Sequence, residues 1–249
     1  MNLYVDVGNS RIKWKHDGMS LARVADNFES LAAQWHELKE LNIEPEMGCC
    51  VRGSSSANNI DRLAQEIFAN KFDWQKSAAK ACGVINAYTE PEQLGVDRWM
   101  ALIAARARYP NQSCIVVDAG TAITVDLIDA SGQHRGGVIL PGAKSMVDTL
   151  DRAEQLFPGA DRNLHELAKS THALTRNTQD AMLAGIIFAM QGGVSRVIEQ
   201  QIKQIKAKIE TTPIILTGGD STMLKLDSLC TFLVPDLVLE GLQLLKGKT

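Results

Sequence analysis

The chain has 249 residues, of which 45% are hydrophobic and 22% charged, and its formal net charge is −3. These values are typical of a globular protein and exclude a disordered or low-complexity chain. Because the sequence has no excess of positive charge and no basic stripe, we expect no nucleic-acid partner.

The N-terminus and the longest apolar stretch predict a cytoplasmic protein without a membrane partner. Residues 1–6 lack the basic residues of a signal peptide, and Asp6 falls where the apolar core of such a peptide would be. Residues 181–194 are the most apolar stretch, but Gln191-Gly192-Gly193 interrupts it before the ~20 residues that a membrane helix needs.

Cysteine and histidine spacing predicts neither a zinc site nor a disulfide framework. The cysteine count is odd, and no pair has the C-x-x-C spacing. Cys114 lies in an apolar run and is expected to be buried. The five histidines lack metal-ligand spacing and are expected at the surface; they are His16, His36, His134, His165 and His172.

In the first half, strands and helices are predicted from runs of β-prone residues, turn residues and apolar stripes of helical spacing. The predicted strands are residues 3–7, 11–15, 20–24 and 47–51. The predicted helices are residues 28–41, with Asn27 as N-cap, 59–71 and 96–109. A loop-rich stretch over residues 87–95 leads into the third helix, and Ser54-Ser55-Ser56 is interpreted as loop.

The second half opens as the first did and then becomes mostly helical. The predicted strands are residues 113–117, 122–128, 136–142, 213–216 and 231–234. The predicted helices are residues 145–156, 179–208 and 236–245.

A short internal repeat links the two halves. The segment Val5-Asp6-Val7-Gly8-Asn9-Ser10 resembles Val117-Asp118-Ala119-Gly120-Thr121-Ala122, and the two aspartates are 112 residues apart. Each copy reads as a strand, a D-x-G turn, a small polar residue and a second strand. The repeat predicts two similar α/β domains that face one another, over residues 1–110 and 111–249. Coincidence is the alternative, because the matched segment is short.

The two D-x-G turns have the chemistry of a polyphosphate site. Glycine lets the backbone approach an anion, and the successive N–H groups of Gly8-Asn9-Ser10 can form an anion-binding concavity. Asp6 can hold Mg²⁺, and Lys13 can reach a phosphate oxygen. Asp118 in the second turn can bind a cation. The alternatives are a plain hairpin with a capping aspartate and a buried aspartate bonded to backbone N–H groups.

Two further segments carry candidate chemistry. Thr217-Gly218-Gly219-Asp220 follows a strand, and its glycine pair would let a ring or ribose lie against the backbone, although an ordinary turn explains it equally well. In Leu94-Gly95-Val96-Asp97-Arg98-Trp99, Asp97 can act as a general base and Arg98 as an anion contact. The favourable position of an acidic residue in the first turn of a helix is the alternative explanation for Asp97.

These motifs, taken in order, resemble the type III pantothenate kinase family over nearly the whole chain. Besides the four segments already described, the matching residues are Tyr88 with Pro91, residues 122–124, 136–142, Asn177-Thr178 and Leu239-Glu240-Gly241-Leu242. The resemblance implies a duplicated, actin-like α/β fold of the acetate-kinase, sugar-kinase and heat-shock ATPase superfamily. It implies ATP-dependent phosphorylation of the primary hydroxyl of pantothenate, the first step of coenzyme A synthesis.

The resemblance also implies roles for individual residues. Asp97 would be the catalytic base, and Asp118 would bind a monovalent cation, K⁺ or NH₄⁺. Mg²⁺ would be required as well, and a homodimer is expected in which the partner chain helps to close the pantothenate pocket. The implied ATP-binding residues are Asp6, Val7, Gly8, Asn9, Ser10, Arg11, Ile12, Lys13 and Thr121. The implied pantothenate-binding residues are Tyr88, Gly95, Val96, Asp97, Arg98 and Thr178, with Thr175 as a competing assignment for Thr178.

Two rival functions are compatible with the same residues. One is a kinase of the same fold for another small hydroxylated acid or sugar. The other is a non-catalytic homologue that binds nucleotide or partner proteins. Retention of Asp6, Asp97 and Asp118 argues against the second.

Overall fold

The structure is a computed structural model that describes residues 1–154, 164–169, 172–226 and 229–247. Its strands are β1 (Asn2–Val7), β2 (Ile12–His16), β3 (Arg23–Ala25), β4 (Glu44–Cys50), β5 (Asp73–Trp74), β6 (Lys80–Ala81), β7 (Val84–Ile85), β8 (Cys114–Ala119), β9 (Ala122–Ile128), β10 (His134–Pro141), β11 (Ile214–Thr217) and β12 (Thr231–Leu233). Its helices are α1 (Phe28–His36), α2 (Ser54–Phe68), α3 (Val96–Arg108), α4 (Ala143–Glu154), α5 (Leu164–Lys169), α6 (Thr178–Gln204) and α7 (Leu237–Lys246).

The chain divides into two compact units. The first contains Met1–Pro110, Gly132–His134 and the chain from Asp236 onward, and the second contains the described parts of Asn111–Ser131 and Arg135–Pro235. The sequence-based division at residue 110 differs from this one, because it assigned α7 to the second domain. Helix α7 packs on α3 so closely that a Cβ atom at Gly241 would collide with the carbonyl oxygen of Met100.

The first unit is built on a five-stranded sheet in the order β3-β2-β1-β4-β5. Strand β1 pairs antiparallel with β2 and parallel with β4. Successive side chains of a strand point to opposite faces. Leu3, Val5 and Val7 of β1 lie in an apolar core with residues of α1 and α2. Asp6 and, in register beside it on β4, Cys49 therefore project from the opposite face.

The second unit repeats this arrangement in the order β10-β9-β8-β11-β12. Strand β8 pairs antiparallel with β9 and parallel with β11, as β1 does with β2 and β4. The predicted duplication is thus present in the strand order of the two sheets. Alternate residues Ile115, Val117 and Ala119 of β8 lie in an apolar core with residues of α6.

Most predicted elements are present, with shifted ends. Helix α1 ends at His36 instead of residue 41. Helix α2 begins at Ser54, which corrects the interpretation of Ser54-Ser55-Ser56 as loop. The preceding Gly53 is the N-cap and has φ +88°, a conformation that glycine adopts readily, and the helix starts directly after it. The sequence predicts the part of the chain that contains α4 to be helical over residues 145–156, and residues 155 and 156 lie outside the described part.

Helix α6 has, by length and composition alone, what a membrane span requires, and among the described residues it is the one helix that does. The sequence interpretation had discounted this segment because Gln191-Gly192-Gly193 interrupts it. The helix runs through these residues without a break. Several of its side chains, including Ile186, Val194 and Ile198, are buried in the core of the second unit.

Candidate active site

The first D-x-G turn lies where β1 ends. Asp6 is 9% exposed, whereas Asn9 and Ser10 of the turn are exposed. Lys13 of β2 is the register partner of Asp6, so both side chains project from the same face of the sheet. The turn therefore combines a nearly buried carboxylate, accessible backbone and a cation on the neighbouring strand.

A buried thiol contacts the carboxylate of Asp6. Cys49 is fully buried, and its Sγ donates a hydrogen bond to Asp6 Oδ1 over 3.3 Å. Burial raises the pKa of Cys49 well above its usual value, and the negative charges of Asp6 and, more weakly, Asp97 raise it further. The thiol therefore stays protonated at neutral pH and can act as a donor to Asp6.

Asp97 lies in the first turn of α3, as predicted, and is half-buried. Its Oδ1 accepts a hydrogen bond of 2.7 Å from the backbone N–H of Arg98. A Cβ atom at Gly95 would lie 2.7 Å from this same oxygen, so a larger residue there would displace the carboxylate. The charge of Asp97 also contributes to raising the pKa of Cys49, the thiol that contacts Asp6.

Arg98 and Tyr88 form a second polar cluster next to Asp97 in the chain. Arg98 is only 7% exposed, and its Nη1 donates to the Tyr88 hydroxyl over 3.1 Å. Its guanidinium carbon lies 5.8 Å from the centre of the Tyr88 ring, within the range of a cation–π contact. The contact fixes the direction of a buried positive charge.

His134 packs on Tyr88, the second residue of this cluster. Its ring is stacked on Tyr88 with centroids 6.2 Å apart and planes 13° apart, and it is fully buried. The prediction that every histidine is at the surface is therefore wrong for His134. Spacing could not have revealed the contact, because His134 enters the first unit from a segment 46 residues after Tyr88.

The second D-x-G turn lies at the end of β8, where Asp118 is half-buried and paired in register with Thr217 of β11. The turn after β11 packs directly on it: the Asp220 N–H donates to the Ala119 carbonyl over 2.9 Å. Gly218 has φ +89°, and a Cβ atom there would collide with the Ala119 carbonyl and the Asp118 carboxylate. Thr217-Gly218-Gly219-Asp220 thus shapes the surroundings of Asp118.

The two predicted threonines lie in the second unit. The backbone carbonyl of Thr121 accepts hydrogen bonds from the Gly142 N–H (3.1 Å) and the Ser145 hydroxyl (2.8 Å), and its side chain is exposed. Thr178 is the first residue of α6, follows the N-cap Asn177 and is also exposed. The competing candidate Thr175 lies before that helix.

The structure thus gathers the predicted residues in two places. The first unit holds the turn residues Asp6, Val7, Gly8, Asn9, Ser10, Arg11, Ile12 and Lys13 together with Tyr88, Gly95, Val96, Asp97 and Arg98. The second unit holds Asp118, Thr121 and Thr178. The sequence interpretation missed Cys49, Arg52 and His134, which reach these places only through strand pairing and packing.

The donor atoms present are compatible with a hard cation held partly by substrate. Among the described residues no group of three or more His, Cys, Asp or Glu side chains could hold a metal ion. Mg²⁺ commonly takes one or two carboxylates and completes its shell with substrate phosphates and water. Single carboxylates at Asp6 and Asp118, each at the end of a strand that leads into a D-x-G turn, fit that mode and do not fit a zinc site.

Comparison with known proteins identifies a family. A family model described as type III pantothenate kinase matches residues 2–200. The type III pantothenate kinase of Azotobacter vinelandii is 32% identical over 247 residues, covering 97% of both chains. That of Azoarcus sp. is 35% identical over 254 residues, covering 97% of this chain and 89% of the relative.

Solved structures support the fold independently. The MreB5 protein of Spiroplasma citri, bound to ADP, superposes with a TM-score of 0.57 at 10% identity and covers 99% of this chain and 96% of its own. The activator of the 2-hydroxyisocaproyl-CoA dehydratase from Clostridium difficile superposes with a TM-score of 0.51 at 9% identity. The superposition covers 98% of this chain and 92% of the activator. At such identities the likeness shows the fold alone, which is the actin-like α/β fold that the family resemblance implied.

Proposed function

Because the chain belongs to the type III pantothenate kinase family, we propose specific residue roles for the reaction of that family, the ATP-dependent phosphorylation of pantothenate. The chain is a phosphotransferase that acts on the primary hydroxyl of pantothenate in the first step of coenzyme A biosynthesis. One observation carries the assignment of roles: Asp6, bonded to the buried Cys49 thiol, and Asp97, held by the Arg98 N–H at the start of α3, lie far apart in sequence but in the same compact unit.

Asp97 is the catalytic base. Its carboxylate is held by the N–H of Arg98 at the start of α3, which gives it a fixed direction. A carboxylate so placed orients the pantothenate hydroxyl and accepts its proton as the phosphoryl group is transferred. The phosphate-binding turn and the base must lie near one another for in-line transfer, and both belong to the first unit.

Arg98 binds the carboxylate of pantothenate. It carries a nearly buried positive charge, and the Tyr88 hydroxyl and ring fix its guanidinium. A guanidinium recognises a carboxylate through two parallel hydrogen bonds. Tyr88, Gly95 and Val96 line the same site, and Thr178 completes it. The carboxylate contact distinguishes pantothenate from a neutral hydroxylated sugar.

The turn over residues 6–13 binds the phosphates of ATP, with a contribution from Thr121. Asp6 would hold Mg²⁺, and Asp118 would hold K⁺ or NH₄⁺. When bound, these ions neutralise charge on the phosphate oxygens. The Cys49 thiol donates to the Asp6 carboxylate and restricts its movement, and the turn at Gly218 packs against Asp118. The assignment of Asp118 rests on its oxygen-rich surroundings.

The active form would be a cytoplasmic homodimer without nucleic-acid or membrane partners. The family likeness supports a dimer in which one chain helps to close the pantothenate pocket of the other. Light scattering on the purified chain, with and without pantothenate, measures the molar mass directly. A monomer under both conditions would contradict the proposed dimer.

The decisive experiment is a coupled assay with ATP, Mg²⁺ and pantothenate, run in K⁺ and then in Na⁺. Asp97→Asn should lower kcat on the order of 10²–10⁴-fold, as expected for loss of a general base, while the Kd for ATP changes less than about threefold. Glu29→Gln is the matched control, because Glu29 is an exposed carboxylate in the first turn of α1. A near-normal kcat for Asp97→Asn would remove Asp97 from the role of base. Equal rates in K⁺ and Na⁺ would remove the K⁺ role from Asp118.

A further inference from the structure

A cation that the sequence interpretation overlooked lies beside the phosphate-binding turn of the first unit. Strands β1 and β4 are parallel and pair Val7 with Cys50, and the Val51 N–H donates to the Val7 carbonyl over 3.1 Å. Parallel strands deliver the residues that follow them to the same edge of a sheet, which is where ligands bind in open α/β sheets. At this edge Gly8 follows β1 and Arg52 follows β4.

The guanidinium of Arg52 is anchored to the turn itself. Its Nε donates a hydrogen bond of 2.5 Å to the carbonyl oxygen of Gly8, and the side chain is half-buried. A guanidinium is planar and has five N–H donors. Once Nε is fixed on Gly8, the two terminal nitrogens are held in a defined plane beside the turn.

The positive charge of Arg52 has no carboxylate within 4 Å in the part of the chain that the structure describes. By contrast, the nearby Arg11 forms an ion pair with Asp26, in which Nε lies 3.7 Å from Oδ1. A polyphosphate bound here would be repelled by the negative charge of Asp6, and its own phosphate groups repel one another. A fixed guanidinium with N–H groups to spare is suited to offset this repulsion.

We infer that Arg52 is a further phosphate-binding residue of this kinase, which donates from its terminal nitrogens to the polyphosphate of ATP while its Nε holds the Gly8 carbonyl. The inference rests on the proposed binding of ATP phosphates by residues 6–13. It adds a residue outside that segment, and it assigns Arg52 to the phosphates and not to the nucleoside or pantothenate.

Binding of AMP, ADP and ATP by calorimetry, with Mg²⁺ and without pantothenate, tests this role. In Arg52→Gln the Kd for ATP should rise roughly tenfold to a hundredfold, as for loss of charge-assisted hydrogen bonds, and the increase should become smaller from ATP to ADP to AMP. Arg52→Lys, which keeps the charge but not the fork of donors, should fall between the wild type and Arg52→Gln. Raising NaCl at constant K⁺ should weaken ATP binding less steeply in Arg52→Gln than in the wild type.

Arg62→Gln is the matched control, because Arg62 is exposed on the nearby helix α2. It should bind all three nucleotides like the wild type. An unchanged Kd for ATP in Arg52→Gln, an equal loss for AMP and ATP, or a higher KM for pantothenate alone would overturn the inference. Thermal unfolding identifies a variant that does not fold, and Arg52→Lys then gives the decisive comparison. A wild-type chain that binds AMP and ATP equally well would overturn the proposed phosphate-binding turn itself.

Discussion

The Sγ atom of Cys49 lies 3.3 Å from Oδ1 of Asp6, on neighbouring parallel strands that place both side chains on one face of the sheet. A neutral, fully buried donor thus touches a carboxylate at the proposed phosphate-binding turn. The contact restricts the direction of the carboxylate without adding a charge to the site. We therefore propose that Cys49 is a positioning residue for Asp6.

Removal of the thiol should loosen Asp6 and weaken the binding of nucleotide with its metal. We expect Cys49→Ala to raise the KM for MgATP by roughly 3- to 10-fold, because a thiol is a weak hydrogen-bond donor, with little change in the KM for pantothenate. Cys49→Ser keeps a donor and should restore the KM to within about twofold. Steady-state kinetics at saturating pantothenate measures both. Cys230→Ala, in the second unit, is the control, and a Cys49→Ala enzyme with wild-type KM values would show that the contact has no positioning role.

The raised pKa of Cys49 should make the folded protein sensitive to alkali. The folded thiol keeps its proton at a pH where the unfolded thiol, with a pKa of about 8.5, loses it. The free energy of unfolding should therefore hold its full value below about pH 8.5 and fall as pH rises toward the folded pKa. Burial raises the pKa of Tyr4 to about 12, which acts in the same direction above about pH 10.

Urea unfolding at pH 7.5 and 9.5 isolates the contribution of Cys49. Cys49→Ser has no thiol to ionise, so its stability should fall less over this interval than that of the wild type. The variant keeps Tyr4, so any difference between the two curves belongs to residue 49. Equal falls in stability would mean that the Cys49 pKa is not raised in solution.

Removal of the Tyr88 hydroxyl should weaken the binding of pantothenate and leave the binding of ATP unchanged. In Tyr88→Phe the buried Arg98 loses the acceptor of its Nη1, while the ring beneath it remains. We expect the KM for pantothenate to rise by roughly 3- to 10-fold with the Kd for ATP unchanged.

Two variants of His134 test whether its stacking on the Tyr88 ring contributes to pantothenate binding. His134→Phe keeps an aromatic ring against Tyr88 and should leave the KM for pantothenate within about twofold, whereas His134→Ala removes the stack and should raise it. Kinetics at varied pantothenate provides the comparison. A His134→Ala enzyme with the wild-type KM would show that stacking on Tyr88 does not contribute to the site.

Gly218 should tolerate no side chain, because a Cβ atom there meets both the Ala119 carbonyl and the Asp118 carboxylate. Gly218→Ala is expected to cost about 1–3 kcal/mol in the free energy of unfolding and to raise the K⁺ concentration needed for activity. Gly136→Ala is the control, because Gly136 also has a positive φ but a Cβ atom there would meet no other atom within 4 Å. Calorimetric unfolding and K⁺ titration of both variants measure the two effects. Equal losses for both variants would mean that strain, and not the collision, decides the outcome.

Most of the strands and helices, the duplication and the order of the motifs could be predicted from the sequence. Alternating and helical apolar patterns depend on neighbouring residues, so β1, β8 and α3 were placed within one or two residues. The start of α2 was missed because the serines that open it are typical of loops. The assignment of α7 to the first unit depends on its packing against α3, which no local pattern contains.

The amino-acid sequence by itself determined which residues we propose to carry chemistry: the two D-x-G turns, Asp97 and Arg98, each recognisable from a short run of neighbours. Only the tertiary structure decided what surrounds them. Cys49 reaches Asp6 through parallel pairing of strands that are separated in the chain, His134 reaches Tyr88 through packing, and Arg52 reaches Gly8 because two strands end at one edge. The physical reason is that local sequence fixes backbone conformation and side-chain direction, whereas contacts between distant residues arise only when apolar faces are buried together.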